Sequence, residues 1–86
     1  MSQVEQMKMQ LHGLADQSRQ GAASLAGFKQ RFEQSSQQVQ MLIRGTATRA
    51  DQDIATMLDA AAKSVDQAVQ SLQIAEAGCR SYADQI

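Results

Sequence analysis

Few residues in this chain have types that could do chemistry. His12 is the single histidine and Cys79 the single cysteine. Zinc and related metals need several nitrogen, sulfur or carboxylate ligands at close spacing, and neither residue has such company in the sequence. Glu5, Glu33, Asp59, Asp66 and Glu76 are dispersed along polar stretches, so two carboxylates are not held together for general acid–base work. Asp51 and Asp53 stand where a helix is expected to begin, and a capping role accounts for them. The glycines are single and, apart from Gly45, interior to helix-forming runs, so no phosphate-cradling loop is present. Cys79 excludes an internal disulfide and reads as a small side chain buried in a seam. The five methionines fall at or beside apolar positions and read as ordinary core. No catalytic, cofactor-binding or metal-binding residue is assigned, and a non-enzymatic protein is expected.

What remains is the scaffold. The chain has 86 residues, 3% aromatics and no tryptophan or proline. That is one domain at most, near the size where a single core is marginal. Alanine and glutamine dominate, and these, like leucine, methionine, glutamate and lysine, tolerate a helix interior well. The formal net charge is −1 with both signs interspersed, which argues against a basic nucleic-acid-binding face. No apolar run approaches the ~20 residues of a transmembrane helix. The first residues, M-S-Q-V-E-Q-M-K-M-Q, lack the apolar block of a cleaved signal peptide, so any export is expected to follow a route without one.

Apolar residues recur at alternating steps of three and four, the spacing of one helix face. In the first half the seam runs through Val4, Met7, Leu11, Leu14, Leu25, Phe28, Phe32, Val39 and Leu42, with Ser18, Gly21 and Ser35 in register. In the second half it runs through Ile54, Leu58, Ala61, Val65, Ala68, Leu72, Ala75, Cys79, Tyr82 and Ile86. A sustained seven-residue repeat implies a gentle left-handed supercoil. The spacing predicts helix 1 over about 3–43 and helix 2 over about 48–84, rods of about 60 and about 55 Å at 1.5 Å per residue. Gly21, on the seam, is read as a place of close helix approach.

Between the two runs lies V-Q-M-L-I-R-G-T-A-T-R-A-D-Q-D-I, Val39 to Ile54. Gly45 follows the last periodic residues, where helices commonly stop on a glycine. Thr48 and Asp51 fit a capping box, with Thr46 as an alternative cap. Stop and start signals this close, a bend of about 44–47, force two antiparallel helices. The fold class is all-α: a helical hairpin.

Met57, Val69 and other apolar residues lie beside the helix-2 seam and widen its stripe beyond what one neighbouring helix covers. A dimer interface is therefore expected at Met57, Leu58, Val65, Val69 and Leu72, making a four-helix bundle from two hairpins.

The hairpin length and glycine-centred bend resemble the WXG-type family of small type VII secretion substrates. Gly45 matches the family glycine, and Ile43 stands where the family has tryptophan, with Arg44 between them. The resemblance covers almost the whole chain. It implies a protein partner: a homodimer or a heterodimer with another hairpin, serving as secreted substrate, as chaperone, or as targeting adaptor for a larger effector or toxin. It also implies a secreted or cell-surface location, reached from the cytoplasm. The family's Tyr-x-x-x-Asp/Glu export signal is met only at its tyrosine, Tyr82, since Ile86 occupies the acidic position. The resemblance implies that a partner can carry that signal. A competing expectation is a self-assembling hairpin subunit of a secretion apparatus, similar to type III needle subunits, although those have a proline-containing bend.

Overall fold

The computed structural model describes residues 2–44 and 50–86; Gly45, Thr46 and Thr48, singled out for the bend, lie outside the described residues, as do Met1 and the side chains of Ala50 and Asp51. Two α-helices account for nearly all of it: α1, Gln3–Ile43, and α2, Ala50–Gln85. They pack lengthwise into a rod of 67 × 16 × 13 Å. Asp16 pairs with Arg80 and Lys29 with Asp66. Rising residue numbers on one helix thus meet falling numbers on the other, and the pair is an antiparallel hairpin.

The start of α1 is fixed by its sequence. The Ser2 hydroxyl accepts a hydrogen bond from the Glu5 N–H at 3.2 Å, and Gln6 N–H donates to the Ser2 carbonyl at 3.1 Å. Ser2 is an N-cap, and Glu5 in the first turn favours the positive end of the helix dipole. Further along α2, Thr56 and Ser64 turn their hydroxyls back onto the carbonyls of Gln52 and Ala60, at 2.9 and 3.1 Å. Such back-bonding satisfies a hydroxyl without leaving the helix.

The seam between the helices keeps the seven-residue repeat but differs from the expected one in half its positions. On α1 the expected column Leu11, Ser18, Leu25 and Phe32 is half-buried against α2. The column beside it is Lys8, Ala15, Ala22, Lys29, Ser36 and Ile43, all buried or half-buried. Met7, Leu14, Phe28 and Leu42, expected on the seam, lie one position off it and are exposed. On α2 the column Leu58, Val65, Leu72, Cys79 and Ile86 holds as expected. Its companion is Ala55, Ala62, Val69, Glu76 and Ala83, and Tyr82 falls outside, half exposed.

The physical reason is size. Ala15, Ala22 and Ala83 are the buried apolar residues of the hairpin, and side chains this small let the two backbones come close. Gly21 shows the same closeness: a Cβ placed there would sit 3.3 Å from Leu72 Cδ1. Gly21 thus lies at a close approach, as its position on the repeat suggested. The bulky Met7, Leu14, Phe28 and Leu42 lie to one side of these small buried residues.

Candidate interaction face

The displaced residues share a side. In the antiparallel pair, the column Met7, Leu14, Gly21, Phe28, Ser35, Leu42 of α1 runs beside the column Ile54, Ala61, Ala68, Ala75, Tyr82 of α2. Met7, Leu11, Leu14 and Tyr82 line one shallow groove between the helices, with Gln10 at its edge. Leu14 is 53% exposed, Phe28 46% and Leu42 82%. The Phe28 ring stacks on the half-buried Phe32 with centroids 6.0 Å apart, which anchors the exposed ring on the seam. Aromatic pairs at this distance hold a defined geometry.

Charge is scarce on the same side. The α1 column bordering it is Gln3, Gln10, Gln17, Ser24, Arg31 and Gln38; the α2 column bordering it is Met57, Ser64, Ser71, Gly78 and Gln85. Arg31 is the single charged residue across these four columns. A strip some 60 Å long with one charge is unusual in a chain that is 20% charged. Depletion of charge at the centre of a patch is the compositional mark of protein interfaces.

The opposite side holds the charges. Lys29 Nζ lies 2.7 Å from Asp66 Oδ1 and 3.5 Å from Glu33 Oε1. Arg80 Nη2 lies 3.0 Å from Asp16 Oδ1 and 3.4 Å from Glu76 Oε2. Both cations bridge the helices at the polar edge of the seam. The hydrogen bond to Asp66 holds the Lys29 ammonium above its usual 10.5, outweighing the opposing effect of partial burial. Arg80 is likewise held in its charged form, chiefly by Asp16. Lys63 and Asp59 pair along α2 at 3.3 Å, well exposed. A second shallow groove on this side is lined by Glu33, Ser36, Gln37, Gln40, Leu58, Asp59 and Ala62. Ser36 Oγ is buried there with no hydrogen-bond partner among the described residues.

The sites expected from sequence are distributed as follows. Leu11, Leu25 and Phe32 lie in the hairpin seam, and Val39 is partly exposed at its margin. Leu58, Val65, Val69 and Leu72, named for a dimer interface, are half-buried against α1, where Leu58, Val65 and Leu72 are also the expected seam positions. Met57 alone of that group is open, at 63% exposure. Ile43 is half-buried at the end of α1, and Arg44 follows it as a helical C-cap residue. His12 is exposed and Cys79 half-buried in the seam. No group of three or more metal-ligating side chains comes together among the described residues, and no helix there is long and apolar enough to cross a membrane.

Two features escaped the sequence reading although signals for them were present. Ser2 followed three residues later by Glu5 is the capping-box pattern itself. The charge-poor columns were visible as the run of Gln and Ser, broken only by Arg31, at every seventh position of α1. No protein-family model matches the chain, no curated protein matches its sequence, and no solved structure matches it.

Proposed function

We propose that this hairpin is a non-enzymatic, WXG-like protein of type VII secretion that works paired with another helical hairpin, as secreted substrate, chaperone or targeting adaptor for a larger effector. The observation that carries the reading is the uncharged face. The hairpin seam takes up small side chains, while Met7, Leu14, Phe28 and Tyr82 stay outside on one side. Apolar patches of this extent mark interaction sites, and the flat, two-helix geometry fits another two-helix layer.

The bend supplies the second element. Met41 and Leu42 are open to solvent at the end of α1, next to Ile43-Arg44-Gly45, the segment that resembles the family bend. An apolar residue presented there would dock on the secretion machinery, while the long face engages the partner hairpin.

Export of the protein from its own host, read by immunoblot of culture medium, tests the reading. Ile43→Asp abolishes export or partner binding while the far-ultraviolet helix signal is kept. Unchanged export of that variant removes the role of the bend. Fibres of the purified chain in negative-stain microscopy would favour the needle-like alternative over a closed pair.

A further inference from the structure

Each helix has one column that the seam always uses and two flanks that can complete it. On α1 the shared column is Leu11, Ser18, Leu25 and Phe32; on α2 it is Leu58, Val65, Leu72 and Cys79. The structure completes the seam on one flank, with Ala15, Ala22 and Ser36 of α1 and Ala62, Val69 and Ala83 of α2. We infer that the hairpin has a second seam on the other flank and switches between the two by rolling. Each helix turns by one column, about 50° and in opposite senses, which presents or withdraws the bulky face. The inference goes beyond the pairing proposed above and applies whatever covers that face.

Composition makes the second seam available. Neither the α1 column from Met7 to Leu42 nor the α2 column from Ile54 to Tyr82 contains a charged residue. The flank in use contains Lys8, Lys29 and Glu76. It also holds the buried Ser36 Oγ, which has no hydrogen-bond partner among the described residues. Rolling carries these polar groups toward water. It takes Leu14, Phe28 and Leu42, now 53%, 46% and 82% exposed, toward the seam. Burial of apolar surface favours that direction, and release of an unpaired hydroxyl adds to it.

The levels match. The Asp16–Arg80 and Lys29–Asp66 pairs set which residues of the two helices face each other. They put Phe28 level with Ala68, Gly21 with Ala75 and Ser35 with Ala61, so no two bulky side chains collide at the middle of the rod. Leu14 is level with Tyr82, and both line one groove with Leu11 of the shared column. A Cβ at Gly21 would lie 3.3 Å from Leu72 Cδ1, also in a shared column. The second flank thus already borders the shared columns at two levels.

The polar edge holds the seam in use. Lys29 reaches Asp66 at 2.7 Å and Arg80 reaches Asp16 at 3.0 Å. Both pairs cross between the helices on the flank that rolling opens. Packed elements of this kind switch between discrete arrangements instead of deforming continuously. The two ion pairs are the latch that keeps the face presented, and their release lets the hairpin take its bulky residues into itself.

Three positions read the two seams. Ser35 is exposed, Ser36 keeps its Oγ buried, and Cys79 is half-buried in the shared column. Ser35→Cys and Ser36→Cys, each in a Cys79→Ser background, and the native Cys79 are alkylated with N-ethylmaleimide. A dilution series separates protection by a second chain from protection by the seam. Asp16→Asn combined with Asp66→Asn removes the latch, and about 1 M sodium chloride screens it without any substitution. On release Ser36→Cys reacts roughly 3- to 10-fold faster, the shift that two partly exposed ion pairs can hold. Ser35→Cys slows, Cys79 keeps its rate and the helix signal is unchanged. Tyr82, the single tyrosine in a chain without tryptophan, becomes harder to quench with acrylamide. A joint rise at Ser36→Cys and Cys79 means that the hairpin opens, and overturns rolling. Rates at Ser35→Cys and Ser36→Cys that fail to move in opposite directions overturn it too. Neither result touches the secretion reading, which Ile43→Asp tests separately.

Discussion

The two ends of the hairpin meet the same packing demand with different materials. Toward the chain termini, Ala15 and Ala22 of α1 are buried beside α2, which contributes Ala83. Backbones approach closely there, and the Asp16–Arg80 pair closes the polar edge. Toward the bend, Ser36 and Ala62 occupy the corresponding columns, a groove opens between the helices, and a buried hydroxyl lacks a partner among the described residues. Small residues produce tight packing only where the neighbouring helix can follow them inward. Near the bend, Ser36 and Ala62 line a groove instead.

The largest expected effect follows from this contrast. Ala22→Leu inserts bulk where no room exists and costs about 1–3 kcal/mol, the range for overpacked cores. For a chain of this length that corresponds to a fall in Tm of about 4–8 °C per kcal/mol. Ala62→Leu, in the open groove, costs less than about 0.5 kcal/mol or stabilises slightly by adding buried apolar area. Urea unfolding of both variants at one fixed protein concentration checks the pair. Equal losses at both sites would mean that the two ends are packed alike.

How far the sequence disclosed this structure depends on which column is considered. Helix content, helix number and the antiparallel hairpin were legible, because apolar residues at three-four spacing and a glycine-centred break admit few alternatives. One column per helix was also legible, Leu11-Ser18-Leu25-Phe32 and Leu58-Val65-Leu72-Cys79. Its companion was not. A three-four pattern can be completed by the column on either side of the shared one: Met7, Leu14, Phe28 on one flank, or Lys8, Ala15, Lys29 on the other. Hydropathy favours the first; close approach of two helices favours the second. Choosing by hydropathy assumes that the chain buries its own largest residues, an assumption that fails for a hairpin whose bulky side chains are left for another surface. The bend residues Gly45 and Thr48 lie outside the described residues, so the structure adds nothing to the sequence reading of the turn.

Ser36 sharpens the comparison from the bend side. A buried hydroxyl without a partner carries its desolvation cost with no return, and alanine is the better helix former. Ser36→Ala is expected to raise stability by about 1 kcal/mol. Ser18→Ala, at the tightly packed end, serves as the reference for helix propensity alone. Equal gains from the two would show that the Ser36 hydroxyl is solvated.

Glycines give a smaller effect of the same kind. A Cβ at Gly13 or Gly78 meets nothing within 4 Å, whereas one at Gly21 meets Leu72 Cδ1 at 3.3 Å. Gly13→Ala and Gly78→Ala should each stabilise by about 0.5–1 kcal/mol through helix propensity. Gly21→Ala should fall short of that, because Leu72 has to move by a few tenths of an ångström. Thermal unfolding by circular dichroism resolves the difference, and an equal gain at Gly21 would place Leu72 elsewhere in solution.

The smallest effect concerns the polar edge, where Lys29 joins the two halves. Its stem lies along the seam while its ammonium reaches Asp66 at 2.7 Å. A partly exposed pair contributes little and is weakened by salt. Lys29→Met keeps the apolar stem and removes the charge, so the variant should lose only slightly and should show less sensitivity to sodium chloride than the wild type, the Arg80 pairs remaining in both. The pH dependence has a definite sign. Because the Lys29 ammonium is held above 10.5 in the fold, chiefly by its hydrogen bond to Asp66, its contribution is complete below that value. It disappears as pH rises through the raised value, where the folded protein finally releases the proton. The difference in urea midpoint between wild type and Lys29→Met should therefore stay constant from about pH 7 to about pH 10 and vanish in stronger alkali. A gap that persists unchanged past the alkaline window would mean that the Lys29–Asp66 charge pair does not produce it, and the polar edge would then differ from the opposite face in composition but not in what holds it.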